Sequence, residues 1–129
     1  MRAAFIAAEC EPWAKAGGLG DVVDALARAL PRATPPADGV TVDGPVDVFL
    51  PLYRSVPVPA GPHPSIVVDV PDPLAAGGTS AIRVLAIDAD GYRLRLVDHP
   101  AAFDRDDIYG HPDDPWRFGI LCRAAHEAL

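Results

Sequence analysis

The sequence predicts an α/β domain, a parallel sheet that carries a β-hairpin excursion. Three observations predict it. An apolar run, Ala3 to Ala8, leads through the glycine turn Gly17-Gly18-Leu19-Gly20 into an amphipathic helix pattern, which is the strand, turn, helix order of a parallel α/β unit. A second apolar run, Val46 to Leu50, follows a connector rich in Pro, Gly and Asp. Asp90-Gly91 then separates two strand-like runs, Ala81 to Ile87 and Tyr92 to Val97, and Asp-Gly is a strong hairpin signal because such turns need positive φ.

Taken in order, the first strand spans Arg2 to Ala8 and is continuously apolar after Arg2, as expected of a central parallel strand covered on both faces. In the helix that follows, Leu19, Val22, Val23, Leu26, Ala27 and Leu30 recur at the spacing of one buried face, while Asp21, Asp24 and Arg28 fall elsewhere. Pro31 stops that helix, and Pro31 to Pro45 reads as a surface loop. After the second strand, Tyr53 and Arg54 are expected in a surface loop. Ser55 to Pro64 is proline-rich and irregular, Ser65 to Val70 is a further strand, and Pro71 to Ser80 is a turn-rich link.

Asp98 to Pro115 reads as a polar, solvated loop. His99 and His111 lie among its aspartates without the helical spacing of a metal pair, and Asp88-Ala89-Asp90-Gly91 lacks the later ligands of a calcium loop, so no metal is expected. Asp114 is expected to cap a last helix with Pro115 at its first position. Phe118, Leu121, Cys122, Ala125 and Leu129 form its apolar face, with Arg117 and Arg123 off that face and His126 at the surface.

The chemistry concentrates in Glu9 to Asp24. A helix start presents backbone N–H groups without partners and partial positive charge, so it favours an anion. Gly17, Gly18 and Gly20 let the backbone turn sharply and let a diphosphate come close, and Lys15 adds one full positive charge. Glycines at such a turn also serve the turn alone, and Asp21 has a purely structural role open to it in the first turn of the helix. The spacing fits neither the dinucleotide fingerprint nor a P-loop, because the lysine precedes the glycines.

The run Glu9-Cys10-Glu11-Pro12-Trp13-Ala14-Lys15-Ala16-Gly17-Gly18-Leu19-Gly20-Asp21-Val22-Val23 resembles the N-terminal signature of bacterial glycogen synthases and plant starch synthases. Ile108-Tyr109-Gly110, Asp113-Asp114 and Arg117-Phe118 resemble the family's later pattern, with Asp114 where the family usually has Asn. Val97-Asp98-His99-Pro100 and Phe103-Asp104-Arg105 resemble the strand end and loop between them. The resemblance implies the N-terminal portion of a two-domain GT-B glycosyltransferase that moves glucose, with retention, from ADP-glucose to the non-reducing end of an α-1,4-glucan. It also implies that Lys15, Gly17, Gly18 and Asp21 bind the sugar nucleotide. The family's reaction-centre histidine and its C-terminal diphosphate-binding groups match nothing here, so no catalytic residue is expected within residues 1–129 and the chain alone is expected to be inactive.

Composition narrows the alternatives. A formal charge of −7 opposes attraction to nucleic acid or to anionic lipid. Cys10 and Cys122 are too few for a disulfide framework, and no signal peptide or membrane span is read, so a cytoplasmic protein with free thiols and no cofactor is expected. Two other classes stay open: a stand-alone module that binds a sugar nucleotide or glucan, and an interaction domain with a degraded site.

Overall fold

The computed structural model describes residues 1–33 and 39–129; part of the expected loop between Pro31 and Pro45 lies outside the described residues. The elements are β1 (Ala4–Ile6), α1 (Gly18–Ala29), β2 (Val46–Pro51), β3 (Ser65–Pro71), β4 (Thr79–Ala89), β5 (Tyr92–Asp98), α2 (Pro100–Phe103) and α3 (Asp114–Ala128). They form one five-stranded sheet in the order β1-β2-β5-β4-β3. β1, β2 and β5 run parallel, while β4 pairs antiparallel with both β5 and β3. The sheet is therefore mixed, and the expected hairpin at Asp90-Gly91 closes β4 onto β5 with Ala89 opposite Tyr92. Gly91, the second residue of the turn, has φ +93, a left-handed conformation that glycine adopts without the penalty of a Cβ.

β2 sits between β1 and β5 and every one of its residues is buried, so it, and not β1, is the doubly covered strand of this chain. Burial of Val46, Val48, Phe49 and Leu50 contributes about 1.5–3 kcal/mol for each side chain. β1 departs from the expectation of a central strand. It is three residues long, lies at the edge of the sheet and leaves Ile6 43% exposed. Among the described residues β1 has one strand neighbour, β2, so its apolar run is only partly covered.

α1 shows the same effect. Val23, Ala27 and Gly20 pack inward, whereas Leu19, Val22 and Leu26, expected on the buried face, are exposed. The helix ends at Ala29 and one 3₁₀ turn carries Pro31, as the proline requires. Arg28 closes this end of the unit: its Nε donates to Asp24 at 2.9 Å, its Nη1 donates to Asp90 at 2.9 Å, and its guanidinium lies over the Tyr92 ring.

The segment after β5 is more structured than a polar loop. Pro100–Phe103 forms α2, and Ala102 and Phe103 are fully buried. α3 begins at Asp114 with Asp113 in the capping position and no side-chain cap bond, so Asp114 is the first helical residue instead of the cap. Its inward face carries Arg117, Ile120, Leu121, Ala124 and Ala125, while Cys122 points outward. The reversal for Arg117 has a clear cause. Its Nε donates to Ala102 O at 2.6 Å, its Nη1 donates to Ile108 O at 3.0 Å and to Asp114 at 2.6 Å, and its guanidinium lies over Phe103 and Phe118. A buried cation is tolerated when it is paired and hydrogen-bonded in this way.

Asp72, also buried, joins the β3–β4 link to α3. It accepts from Leu74 N at 3.0 Å, Ser80 Oγ at 2.6 Å and Trp116 Nε1 at 2.8 Å, and His99 lies 3.7 Å away.

Candidate functional site

The glycine turn follows the end of β1 and runs into α1. Gly17 is the N-cap residue, with extended backbone and no side-chain cap bond. Neither Gly17, Gly18 nor Gly20 has positive φ, so the sharp turn expected of them is not what the backbone requires. At Gly17 and Gly18 an added Cβ would meet nothing within 4 Å, and both face open space. Gly20 is different: a Cβ there would lie 3.3 Å from Lys15 Cγ, so this glycine lets the loop close onto the helix. Glu11 N donates to Gly20 O at 3.0 Å and completes that closure.

Lys15 and Asp21, both expected as ligand-facing residues, meet in an exposed ion pair, Nζ to Oδ1 at 2.9 Å. That hydrogen bond and the charge of Asp21 raise the Lys15 amine above its ordinary value. Gly17 and Gly18 lie between these two residues in sequence, so the four site positions form one patch at the start of α1.

The sequence reading missed Glu9. Its buried carboxylate sits inside the turn, where Oε1 accepts from Ala16 N at 2.7 Å and from Gly17 N at 2.8 Å, and Oε2 accepts from the Tyr109 hydroxyl at 2.5 Å. Burial alone would push this carboxyl up, but the bonds from Tyr109, Ala16 and Gly17 outweigh it and hold it below the usual carboxylate range. The Tyr109 phenol is pushed up to about 12 by burial and by that same bond. Two of the N–H groups that a phosphate would use are thus filled by an internal anion. The N–H groups of Gly18 and Leu19, in the first turn of α1, have no protein acceptor among the described residues.

Tyr53 is also placed differently from expectation. It is buried, its hydroxyl donates to Ala8 O at 2.8 Å, and its ring meets Phe103 edge-on, so it fixes the chain just before Glu9. Arg54 does lie at the surface, paired with Asp104 and Asp106. Behind the turn, Trp13 Nε1 donates to Tyr92 Oη at 2.9 Å, and buried Cys10 contacts the same hydroxyl. Burial pushes the Cys10 thiol up, so it stays a neutral packing group.

The charges of this wall do not favour an anion on their own. Glu9, Glu11 and Asp21 lie around a single Lys15, so carboxylates outnumber cations at this patch. No group of three or more His, Cys, Asp or Glu able to hold a metal ion occurs among the described residues. Likewise, no helix among them is long and apolar enough to cross a membrane.

The parallel strands β1, β2 and β5, with a glycine turn opening a helix at their end, define a Rossmann-like α/β domain of the kind used by GT-B glycosyltransferases. Residues 2–129 match the starch synthase catalytic domain family, and the chain belongs to that family. Glycogen synthase of Koribacter versatilis is 36% identical over 139 residues, covering 98% of this chain and 25% of the relative. Glycogen synthase of Roseobacter denitrificans is 38% identical over 128 residues, covering 94% of this chain and 24% of the relative. Among solved structures, the catalytic domain of starch synthase IV from Arabidopsis thaliana, bound to ADP and acarbose, superposes with a TM-score of 0.76 at 30% identity, covering 99% of this chain and 25% of that one. The chain spans about a quarter of the length of these relatives.

Proposed function

We propose that residues 1–129 supply one wall of the active-site cleft of a glycogen or starch synthase that transfers glucose from ADP-glucose to the non-reducing end of an α-1,4-glucan with retention. The observation that carries this reading is the outward-facing Lys15-to-Asp21 patch. Gly17 and Gly18 leave room for a ligand's phosphates, and the N–H groups of Gly18 and Leu19, at the start of the helix, have no protein acceptor among the described residues. Lys15 would release Asp21 to meet the diphosphate, and Asp21 would turn to a sugar hydroxyl. Transfer needs electrostatic stabilisation of the leaving nucleotide from both sides of a closed cleft. The acidic balance of this wall supports a division in which the facing domain brings the cations. We accordingly place no catalytic residue in this chain, assign it to the N-terminal part of the catalytic region, and place the protein in the cytoplasm.

The test is a chimera in which residues 1–129 replace the matching quarter of the Roseobacter denitrificans glycogen synthase. Expected are glucan synthesis from ADP-glucose by the chimera, its loss in the Lys15→Ala chimera, and none by residues 1–129 alone. A chimera that folds but is inactive would overturn the reading. The alternative, a stand-alone binding module, predicts saturable binding of ADP-glucose by residues 1–129 that Lys15→Ala abolishes and Arg54→Ala leaves intact.

A further inference from the structure

At the opposite end of the parallel strands, Arg2 precedes β1, Asp47 is the second residue of β2, and Arg93 and Arg95 lie in β5 opposite Asp47 and Phe49. The glycine turn lies past the other end of β1, beyond Ala8, so the strand stands between the two places. Asp47 is the centre of the group. Its Oδ2 accepts from Arg2 Nη2 at 3.3 Å, and its Oδ1 lies 3.8 Å from Arg93 Nη1 and 3.7 Å from Arg95 Nη1, beyond hydrogen-bond range of both. The Arg95 guanidinium carbon lies over the Phe49 ring, 5.2 Å from its centroid.

Two polar atoms here are buried without a partner, Asp47 Oδ1 and Arg95 Nε. Such atoms are costly to leave unmade. Both belong to residues that line a cleft of about 660 Å³, together with Arg2, Ala3 and Ala4 and closed by Ala128 and Leu129 of the α3 end. One orphan is a cationic donor and the other an anionic acceptor, so a bare anion would satisfy only half of the site. A ligand that fits carries an anionic group for the arginines and a neutral donor, such as a hydroxyl, for Asp47. Arg2 and Arg95 bring two cations to the cleft against the one buried carboxylate of Asp47 and the carbonyl end of α3, while Arg93, outside the lining, is opposed by exposed Asp88 at 4.0 Å. Planar guanidinium groups suit phosphate oxygens.

We propose that this cleft is a second binding site, for a small phosphorylated polyhydroxy compound: the phosphate accepts from Arg95 Nε and Arg2, and a hydroxyl donates to Asp47 Oδ1. The site is separate from the Lys15 patch in place and in chemistry.

Calorimetric titration of residues 1–129 with glycerol phosphate and with inorganic phosphate, at constant ionic strength, tests it. Expected is saturable 1:1 binding in which glycerol phosphate is several-fold tighter than inorganic phosphate, because only it supplies the hydroxyl. Arg2→Gln should weaken glycerol phosphate by at least fivefold, and, since Arg2 is exposed, the variant should keep the parent's circular dichroism. Arg95→Lys keeps the charge but removes Nε, a donor to the phosphate that both probes carry, and should weaken both while leaving glycerol phosphate the tighter of the two. Lys15→Gln should change neither affinity. No saturable binding, equal affinity for the two probes, or a loss caused by Lys15→Gln and not by Arg2→Gln would each overturn the proposal.

Discussion

The carboxylate of Glu9 and the hydroxyl of Tyr109 meet at 2.5 Å although 100 positions of sequence separate them. This contact ties the glycine turn to the loop between α2 and α3. Glu9→Ala leaves the N–H groups of Ala16 and Gly17 and the Tyr109 hydroxyl without their charged acceptor, and it is expected to cost about 2–4 kcal/mol in urea unfolding. Tyr109→Phe removes one bond from a partly exposed side chain and is expected to cost about 1 kcal/mol. Equal costs for the two would mean that the turn does not depend on the carboxylate.

Acid should weaken the fold through Asp72. Burial would raise its carboxyl, but the bonds from Ser80, Trp116 and Leu74 N win and hold it at about 2. The folded value lies below the unfolded one, so the contribution is fully present above about pH 5. It declines as pH falls through 4 and is gone near pH 2, about 2 kcal/mol in all. Asp72→Asn should be less stable than the parent at pH 7, and the gap should narrow towards pH 2. A gap that stays constant with pH would remove Asp72 from the acid response.

Arg117 is a fully buried cation whose loss should be costly. Arg117→Met strands the Asp114 carboxylate and the carbonyls of Ala102 and Ile108, and is expected to destabilise by about 3–5 kcal/mol. Arg117→Lys keeps the charge but gives up the fork and the stacking on Phe103 and Phe118, and should cost about 2 kcal/mol by thermal unfolding. A lysine variant as stable as the parent would show that charge alone is what the site uses.

Gly91→Ala combines two penalties. The backbone sits at φ +93, and the new Cβ would lie 3.2 Å from Arg28 Cγ. A loss of about 1–2 kcal/mol is expected, measured by thermal unfolding. An unchanged midpoint would mean that the hairpin relaxes and Arg28 moves aside freely.

The hairpin and the order of strands and helices were legible because Asp90-Gly91, Pro31 and the apolar runs act through the local backbone. Burial was legible only in part. β1 and the Leu19, Val22, Leu26 side of α1 carry the pattern of surfaces that are covered, and pattern states the need for a cover without saying which residues supply it. Arg117 was misplaced for another reason: a charged residue reads as solvent-facing until the carbonyls of Ala102 and Ile108 and a carboxylate converge on it, and those lie outside its own helix face. Glu9 went unread because the glycines suggested an external anion, whereas the nearest carboxylate was in the preceding strand end. A buried acid just before a glycine turn is the signal that could have found it.

The mixed sheet also dictates an order in time. β3, β4 and β5 are joined by short links and pair with their sequence neighbours, whereas Ala4 must find Asp47 across the whole of α1 and the loop beyond. Closing that long loop costs entropy before any contact returns it, so the three-stranded meander is expected to gain amide protection first and β1 last in a pulsed exchange experiment. The start of the chain would then be the last part to settle, and the patch at Lys15 would take shape only after the remainder of the domain had become a surface for it to rest on.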